Sequence, residues 1–272
     1  MSITALTHVS SRHHLCHIFI EDNMKVSVIT ATYNRAPTIV RAISSIKSQT
    51  YSDVQVVVID GASEDSTVPL VSNFLSRDDV LLSEPDNGIY DALNKGLDLA
   101  SGEIIAFLHS DDRYFDDDVI STVMKYFEDD SVDVVYGNVC FFSGENVEKV
   151  VRTYHSDVLS LKNLAWGKMP AHPAMFIRSR VYEKIGGFKT DYRIAADYEF
   201  LCRLVKSPGL TATYHPGTLV QMELGGVSTS GIKNTIILNK EVYRAVRTNG
   251  IYTNIFMLLS KYPSKIRQFL KK

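Results

Sequence analysis

The chain has few cysteines and no apolar run long enough to span a membrane. Cys16, Cys140 and Cys202 stand far apart along 272 residues. Their number is odd and their spacing fits neither a zinc site nor a disulfide framework, so we expect a reducing compartment. Because no apolar stretch reaches the roughly 18 residues of a transmembrane helix and the start lacks a signal-peptide pattern, we expect a cytoplasmic protein.

Net charge is also small, since 29 Lys and Arg residues nearly balance 31 Asp and Glu residues. A formal charge of -2 removes the simplest argument for a nucleic-acid partner, and we predict none. The charge is nevertheless uneven, because residues 232–272 contain nine Lys and Arg residues against the single acidic residue Glu241. Apolar residues alternate with these bases, which predicts amphipathic helices that lie on an anionic membrane surface.

No glycine-rich phosphate loop follows the first predicted strand, where residues 31–37 read ATYNRAP. A dinucleotide-dependent oxidoreductase would carry Gly-x-Gly-x-x-Gly at such a point, so this class is excluded. A sugar nucleotidyltransferase usually holds triphosphate with a glycine-rich, basic loop. That class stays open only as a less favoured alternative.

The first half of the chain alternates strand and helix patterns. β-Branched or apolar runs predict strands at residues 25–31, 54–60, 80–83 and 104–108, and amphipathic spacing predicts helices between them. This order predicts an α/β fold with a Rossmann-like, mostly parallel central sheet and helices on both faces. The pattern is looser after residue 112 and favours an α+β second half.

Polar side chains follow three of the predicted strands where the strands end. They are Thr32, Tyr33 and Asn34 after the first, Asp60, Ser63 and Asp65 after the second, and Asp111 and Asp112 after the fourth. Ligands of open α/β sheets bind at this edge. The adjacent carboxylates of Asp111 and Asp112 repel each other unless solvent or a cation neutralises them, which predicts Mg²⁺ or Mn²⁺. A solvated loop for this pair, and helix caps for Ser63 and Asp65, remain alternatives.

Three segments together resemble family-2 glycosyltransferases of the bacterial surface-polysaccharide type, which have the GT-A fold and invert the anomeric centre. The segments read VSVITATYNR from residue 26, VVVIDGASEDST from residue 56, and DNGIYDALNKGLDLASGEIIAFLHSDD from residue 86. The resemblance covers about three quarters of the chain. Two departures stand out: Gly61 replaces the second carboxylate of the usual Asp-Asp-Gly-Ser motif, and His109 occupies the first position of Asp-x-Asp.

The resemblance implies roles for particular residues. It places the nucleotide over Ala31 and Tyr33 with Asp60 as hydrogen-bond acceptor, the donor sugar near Asn87 and Asn94, the metal on Asp111, and the catalytic base at Asp197 in the segment IAADYEFLCRL. A carboxylate near a helix start is the alternative interpretation of Asp197. A non-catalytic, nucleotide-sugar-binding scaffold is the alternative for the whole chain.

The resulting division of the chain has three parts. Residues 1–23 form a disordered extension ahead of Met24, residues 24–231 form the GT-A domain, and residues 232–272 form basic amphipathic helices. Within the domain, residues 24–112 are the nucleotide-sugar half and residues 113–231 the acceptor half. The expected activity is that of a hexosyltransferase acting on a glycan linked to a polyprenyl carrier, at the inner face of the plasma membrane.

Overall fold

The structure is a computed structural model that describes residues 24–144, 149–156, 159–224 and 231–260. The predicted extension over residues 1–23 and the tail over residues 261–272 lie outside the described residues. The three-part division of the chain therefore stays a prediction at both ends.

Four parallel strands form the first half of one sheet. They are β1 (Val26–Thr32), β2 (Val54–Asp60), β3 (Val80–Ser83) and β4 (Ile104–Phe107), joined by the helices α1 (Ala36–Lys47), α2 (Thr67–Ser72) and α3 (Ile89–Leu99). β1 pairs with β2 along its whole length, from Val26 opposite Val54 to Thr32 opposite Asp60. β1 also pairs with β4 on its other side. The βαβ prediction holds for this half.

The second half extends the same sheet with mixed strand directions. Its strands are β5 (Arg113–Tyr114), β6 (Val134–Phe142), β7 (Arg152–Tyr154), β8 (Met175–Arg178) and β9 (Ala212–Glu223). The order across the sheet is β3-β2-β1-β4-β8-β6-β9-β5, with β7 on β6. β8 runs antiparallel to both β4 and β6, whereas β6 and β9 are parallel. One continuous sheet thus crosses the predicted boundary at residue 112.

Six helices and one short 3-10 turn accompany these strands in the described residues. They are α4 (Val119–Phe127), α5 (Leu161–Ala165), the turn at His172–Ala174, α6 (Ser179–Ile185), α7 (Ala196–Lys206), α8 (Gly231–Thr248) and α9 (Ile255–Leu259). No helix in the described part of the chain is both long enough and apolar enough to cross a bilayer.

Side chains of β1 alternate between two hydrophobic cores, one on each face of the sheet. Val28 packs in the core that contains Ile39 and Ile43 of α1. Ile29 packs in the opposite core with Leu93 of α3. Since successive strand residues point to opposite faces, a strand that is buried throughout needs packing partners on both faces of the sheet.

The contact of α3 with β1 depends on the absence of a side chain at Gly96. A Cβ atom at Gly96 would overlap the Ile29 Cγ2 atom. We therefore expect Gly96→Ala to lower the free energy of unfolding by about 1–3 kcal/mol, the usual cost of overpacking a dense core. Urea denaturation measures this change.

Asp98→Ala is the matched control, because Asp98 is exposed on the same helix. A surface change of this kind is expected to alter stability by at most about 0.5 kcal/mol. Equal midpoints for Gly96→Ala and the wild type would contradict close packing at Gly96.

Candidate active site

The loops after β1 and β2 are fastened to each other by side chains. The Ser63 hydroxyl accepts the Asn34 backbone N–H at 2.7 Å, and the Asn34 side-chain oxygen accepts the Glu64 N–H at 2.9 Å. Asn34 and Ala62 both have positive φ, 50° and 62°. Left-handed backbone at non-glycine residues costs about 1–2 kcal/mol, and such residues cluster at functional sites.

The Asp65 carboxylate binds the first backbone N–H groups of two helices. Its carboxylate accepts the backbone N–H of Thr67 at 2.9 Å at the start of α2, and that of Ala36 at 3.1 Å at the start of α1. These bonds satisfy donors that a helix terminus leaves unpaired. The helix-cap alternative thus describes Asp65.

Asp60 is fully buried at the end of β2, with 0% of its surface exposed. One carboxylate oxygen accepts the Ser63 N–H at 2.8 Å and the Ser83 hydroxyl at 2.7 Å, and the other accepts the Ser63 hydroxyl. The carboxylate therefore ties the β2 loop to the end of β3. Its predicted contact with a base or ribose stays a prediction, because this structure gives Asp60 no exposed surface.

Gly61 opens the space that a side chain would fill beside Tyr33. A Cβ atom here would lie 2.7 Å from the Asp86 Oδ2 atom and 3.5 Å from the Tyr33 ring. The Asp86 carboxylate thus occupies space that a side chain at position 61 would take. Tyr33 is 58% exposed. An exposed ring and a carboxylate around a bare backbone form a surface on which a flat ligand can lie.

Ala31 and Asn87 border this surface differently. Ala31 is the penultimate residue of β1 and is buried at 9% exposure. Asn87 is exposed just before α3, and its backbone N–H donates to the Asp91 carboxylate at 3.0 Å. The donor-site roles of both residues stay predictions.

Asn94 has a structural partner for its side-chain amide. The amide nitrogen donates to the Phe188 carbonyl at 2.7 Å, and the amide oxygen accepts the Phe188 N–H at 2.8 Å. This pair fastens α3 to the segment before α7. The sequence predicts that Asn94 contacts the nucleotide-sugar donor. Such a contact would have to use the second N–H or the second lone pair of an amide whose nitrogen and oxygen both already bond Phe188.

The turn after β4 separates its two carboxylates. Asp112 is buried at 2% exposure, and burial together with the neighbouring Asp111 charge raises the pKa of the Asp112 carboxyl well above its usual range. Asp111 is only partly buried. Burial lowers the pKa of His109 although Asp111 opposes this, so His109 stays neutral near pH 7.

Arg41 of α1 holds the turn against the end of β9. Its guanidinium donates to the Asp111 carbonyl at 2.7 Å and to the Glu223 carboxylate at 2.7 Å. It also lies over the Phe142 ring, 4.8 Å from the centroid. Neither Arg41 nor Glu223 was singled out in the sequence, because the two residues are 182 positions apart.

The carboxylate oxygens at this turn are ligands that suit a divalent cation, which can also bind phosphate. Among residues 24–144, 149–156, 159–224 and 231–260, no group of three His, Cys, Asp or Glu side chains is arranged to hold a metal ion. The Asp111 carboxylate has no hydrogen-bond donor among these residues, and the Asp112 Oδ2 atom is buried without a partner. Mg²⁺ is often held by one or two carboxylates plus substrate phosphates, and this turn fits that arrangement.

Asp197 lies in the first turn of α7, facing α3. Its Oδ1 atom accepts the Tyr198 N–H at 2.8 Å and lies 3.3 Å from the Tyr90 hydroxyl. Burial raises the pKa of the Asp197 carboxyl to about 6, although the Tyr198 N–H and Tyr90 hydroxyl oppose the rise. A carboxylate with such a pKa accepts protons well near neutral pH.

An aromatic cluster connects the surroundings of Asp111 and Asp197. Phe188 packs 5.8 Å from the Tyr90 ring, 5.4 Å from Phe107 of β4 and 5.3 Å from His172. His172 in turn stacks on Phe107 at 5.0 Å. Burial lowers the pKa of His172 to about 3, so it is neutral. The packing joins the end of β4 to the residue that touches Asp197.

Solved glycosyltransferases share this fold. S. aureus TarS 1-349 in complex with UDP-GlcNAc gives a TM-score of 0.63 at 18% identity, covering 82% of this chain and 66% of that one. The mannosyltransferase PcManGT from Pyrobaculum calidifontis, in complex with GDP-Man and Mn²⁺, gives 0.60 at 23%, covering 82% and 65%. This chain spans 40% of a longer TarS chain. The fold is that of GT-A-type glycosyltransferases, as predicted.

Sequence comparison gives the family. A PGL/p-HBAD biosynthesis glycosyltransferase of Mycobacterium tuberculosis is 31% identical over 246 residues, 88% of this chain and 91% of the relative. An uncharacterized glycosyltransferase of the same species is 35% identical over 183 residues, 65% of this chain and 68% of the relative. A sequence model described as Glycosyl transferase family 2 matches residues 27–188. The protein is an enzyme of this class, and the chain belongs to glycosyl transferase family 2.

The hydrogen bonds of the buried Asp60 carboxylate predict that its substitution destabilises the fold. Asp60→Asn places an amide NH₂ against hydroxyl and backbone donors, so we expect the free energy of unfolding to fall by about 1–3 kcal/mol. Thermal or urea denaturation measures the loss, with the exposed Asp98→Asn as control. A variant of wild-type stability that binds nucleotide less tightly would instead make Asp60 a ligand contact.

Proposed function

We propose that the chain is an inverting, metal-dependent glycosyltransferase that moves a sugar from a UDP-sugar to an acceptor hydroxyl. The observation that carries the proposal is Asp197, a partly buried carboxylate whose pKa of about 6 suits a general base. Relatives that bind UDP-GlcNAc and GDP-Man support a nucleotide-sugar donor.

The donor is proposed to lie along the carboxyl ends of β1 and β2. The Tyr33 ring is exposed there, and the Asp86 carboxylate beside Gly61 is available as a hydrogen-bond acceptor. An imide or amide N–H of a nucleobase is a suitable donor to it. Asp86 would in this way supply the carboxylate that Gly61 does not.

Asp111 is proposed to hold Mg²⁺ or Mn²⁺ together with the diphosphate of the donor. The ion would neutralise charge that builds on the departing nucleoside diphosphate. Arg41 fixes the Asp111 backbone through its carbonyl, so the carboxylate stays oriented. A relative in complex with Mn²⁺ supports this role.

Asp197 is proposed to accept the proton of the acceptor hydroxyl as that oxygen attacks the anomeric carbon. General-base assistance of this kind contributes about 10² to 10⁴ in rate. A single displacement inverts the anomeric centre. The partial burial of Asp197 excludes water that would otherwise solvate the carboxylate and compete with the acceptor.

Transfer and hydrolysis of a panel of nucleotide sugars, with Mn²⁺ or Mg²⁺, test the proposal. We expect one donor to be used, Asp111→Ala to abolish turnover with either ion, and Asp197→Asn to reduce transfer by at least about 10²-fold while donor binding persists. NMR of the first-formed product reads the anomeric configuration.

Glu128→Ala is the matched control, because Glu128 is an exposed carboxylate at the end of α4. Full activity of Asp197→Asn would remove the base role. Failure of the wild type to bind or turn over any donor would favour the scaffold alternative.

The acceptor is proposed to be a lipid-linked glycan of surface-polysaccharide synthesis, approached from an anionic membrane surface. An apolar row on α8 is exposed, with Ile232 at 82%, Ile236 at 51% and Tyr243 at 42%. Tyr252, between α8 and α9, and Phe256 of α9 are also exposed, at 72% and 83%. We call these five residues the apolar row.

Basic side chains border the apolar row. Lys233, Lys240 and Arg247 are exposed on α8, on the side of the helix that carries the row. Lys and Arg near an anionic bilayer each contribute up to about 1 kcal/mol to binding. Apolar residues ringed by bases match a negatively charged, partly apolar surface better than they match a second protein copy of like charge.

Vesicle co-sedimentation tests this surface. We expect binding to phosphatidylglycerol vesicles that weakens with salt, and a loss of at least about tenfold for Tyr252→Ser with Phe256→Ser, because each large apolar side chain contributes about 1.5–3 kcal/mol when buried. Phe74→Ser, at an exposed aromatic residue after α2, is the control. Unchanged binding of the double variant, or self-association without vesicle binding, would overturn the membrane role.

A further inference from the structure

Glu241 of α8 accepts three consecutive backbone N–H groups. Its Oε1 atom accepts the Arg193 N–H at 2.8 Å, and its Oε2 atom accepts the N–H groups of Ile194 and Ala195 at 2.8 and 2.9 Å. Bonds from backbone N–H groups to a carboxylate are charge-assisted and strong. Three of the roughly four acceptor sites of one carboxylate are thus used on a segment of three residues that lies 46–48 positions earlier in the chain.

That segment leads directly into the helix that carries Asp197. Ala195 is the residue before α7 and has no side chain that could cap the helix. On the other side of the segment, the Tyr90 hydroxyl donates to the Ile194 carbonyl at 2.6 Å. The segment is therefore fixed from α8 through its N–H groups and from α3 through a carbonyl. Both attachments lie within four residues of Asp197.

We infer that Glu241 is a positioning residue for Asp197: its carboxylate fixes the segment 193–195 so that the Asp197 side chain faces the acceptor hydroxyl. The inference rests on the proposed role of Asp197 as base. Glu241 lies beyond residues 27–188, the part of the chain that the family model matches. Helix α8 thus contributes to the chemistry without touching substrate.

The attachment of α8 does not depend on Glu241. Val242, Ala245 and Val246 of α8 are buried in the core that also contains α7. The Asn249 side chain donates to the buried Glu199 of α7 at 3.2 Å. A Glu241→Gln variant is therefore expected to keep α8 in place and to lose only the fixation of the segment.

The charge of Glu241 also acts on Asp197. The titratable groups that act on the Asp197 carboxyl include Tyr90 of α3, Tyr198 of α7 and Glu241 of α8. Burial is the main cause that raises the pKa of Asp197, and the negative Glu241 raises it further. Removing this charge favours the ionised Asp197 carboxylate, so its pKa falls. A general base must be ionised, and the acid limb of the rate profile reports that pKa.

The test compares Glu241→Gln with the wild type in steady-state transfer across pH. The wild type is expected to lose activity below about pH 6. Glu241→Gln is expected to lower kcat by about 10- to 100-fold, since small displacements of a catalytic group have such effects. The donor KM is expected to change by less than about twofold, and the acid limb to move to lower pH.

Glu183→Gln is the matched control, because Glu183 is exposed on α6. A wild-type kcat and an unmoved acid limb in Glu241→Gln would overturn the inference. A uniform loss of folded protein without a change in the acid limb would reduce Glu241 to a structural residue and would also overturn it.

Amide hydrogen exchange separates this inference from the proposed function. Segment 193–195 should be protected in the wild type, and exchange there should be at least about tenfold faster in Glu241→Gln while β1 is unchanged. Unprotected amides in the wild type overturn the inference even if the variant fails to fold. A wild type that transfers no sugar but shows this protection would refute the proposed function and leave the anchoring intact.

Discussion

The pairing of β1 with both β2 and β4 is the constraint on which the site depends. The continuous register places the end of β1 opposite Asp60 and fixes the point from which the β4 turn starts. A shift of one residue would exchange the two faces of the strand and bury the wrong side chains. The loops that carry Tyr33, Gly61 and Asp111 therefore inherit their positions from backbone hydrogen bonds within the sheet.

Polar side chains then fix the conformations of these loops. Asp60 and Asp65 accept hydrogen bonds from backbone and hydroxyl donors, whereas the half-buried Asp86 uses one oxygen on the Gly88 N–H and the half-buried Asp111 carboxylate has no donor among the described residues. Several carboxylates that lie close together would repel each other if all of them carried a negative charge. Burial of Asp112 raises the pKa of its carboxyl well above the usual range, which disfavours a second charge at the turn. Residues of the same type thus differ by the hydrogen-bond donors around each one, since Asp60 is buried and Asp65 is exposed, yet both are bonded within the protein.

Local patterns sufficed to predict the first half of the fold, and tertiary contacts explain most of what they missed. β2 begins and ends where the apolar run does, because buried parallel strands are mostly apolar, and the short edge strand β3 also coincides with its apolar run. β9, the longest strand, was not predicted: it contains Pro216 and Gly217, and its first residues are exposed or half-buried. Nor could spacing reveal Glu241, because an isolated glutamate on a helix resembles any solvated one until the segment it binds is in view.

Residues that contact each other in the folded protein are far apart along the chain, so the ribosome adds them at different times. Residues up to Asp111 can form their parallel strands early, yet Arg41 meets Glu223 only after that residue has been added, and Glu241 follows later still. At about 5–20 residues per second, the 130 positions from Asp111 to Glu241 take between about 6 and about 26 s. During that interval a nascent chain contains the four parallel strands but not the α8 carboxylate that fixes the segment before α7.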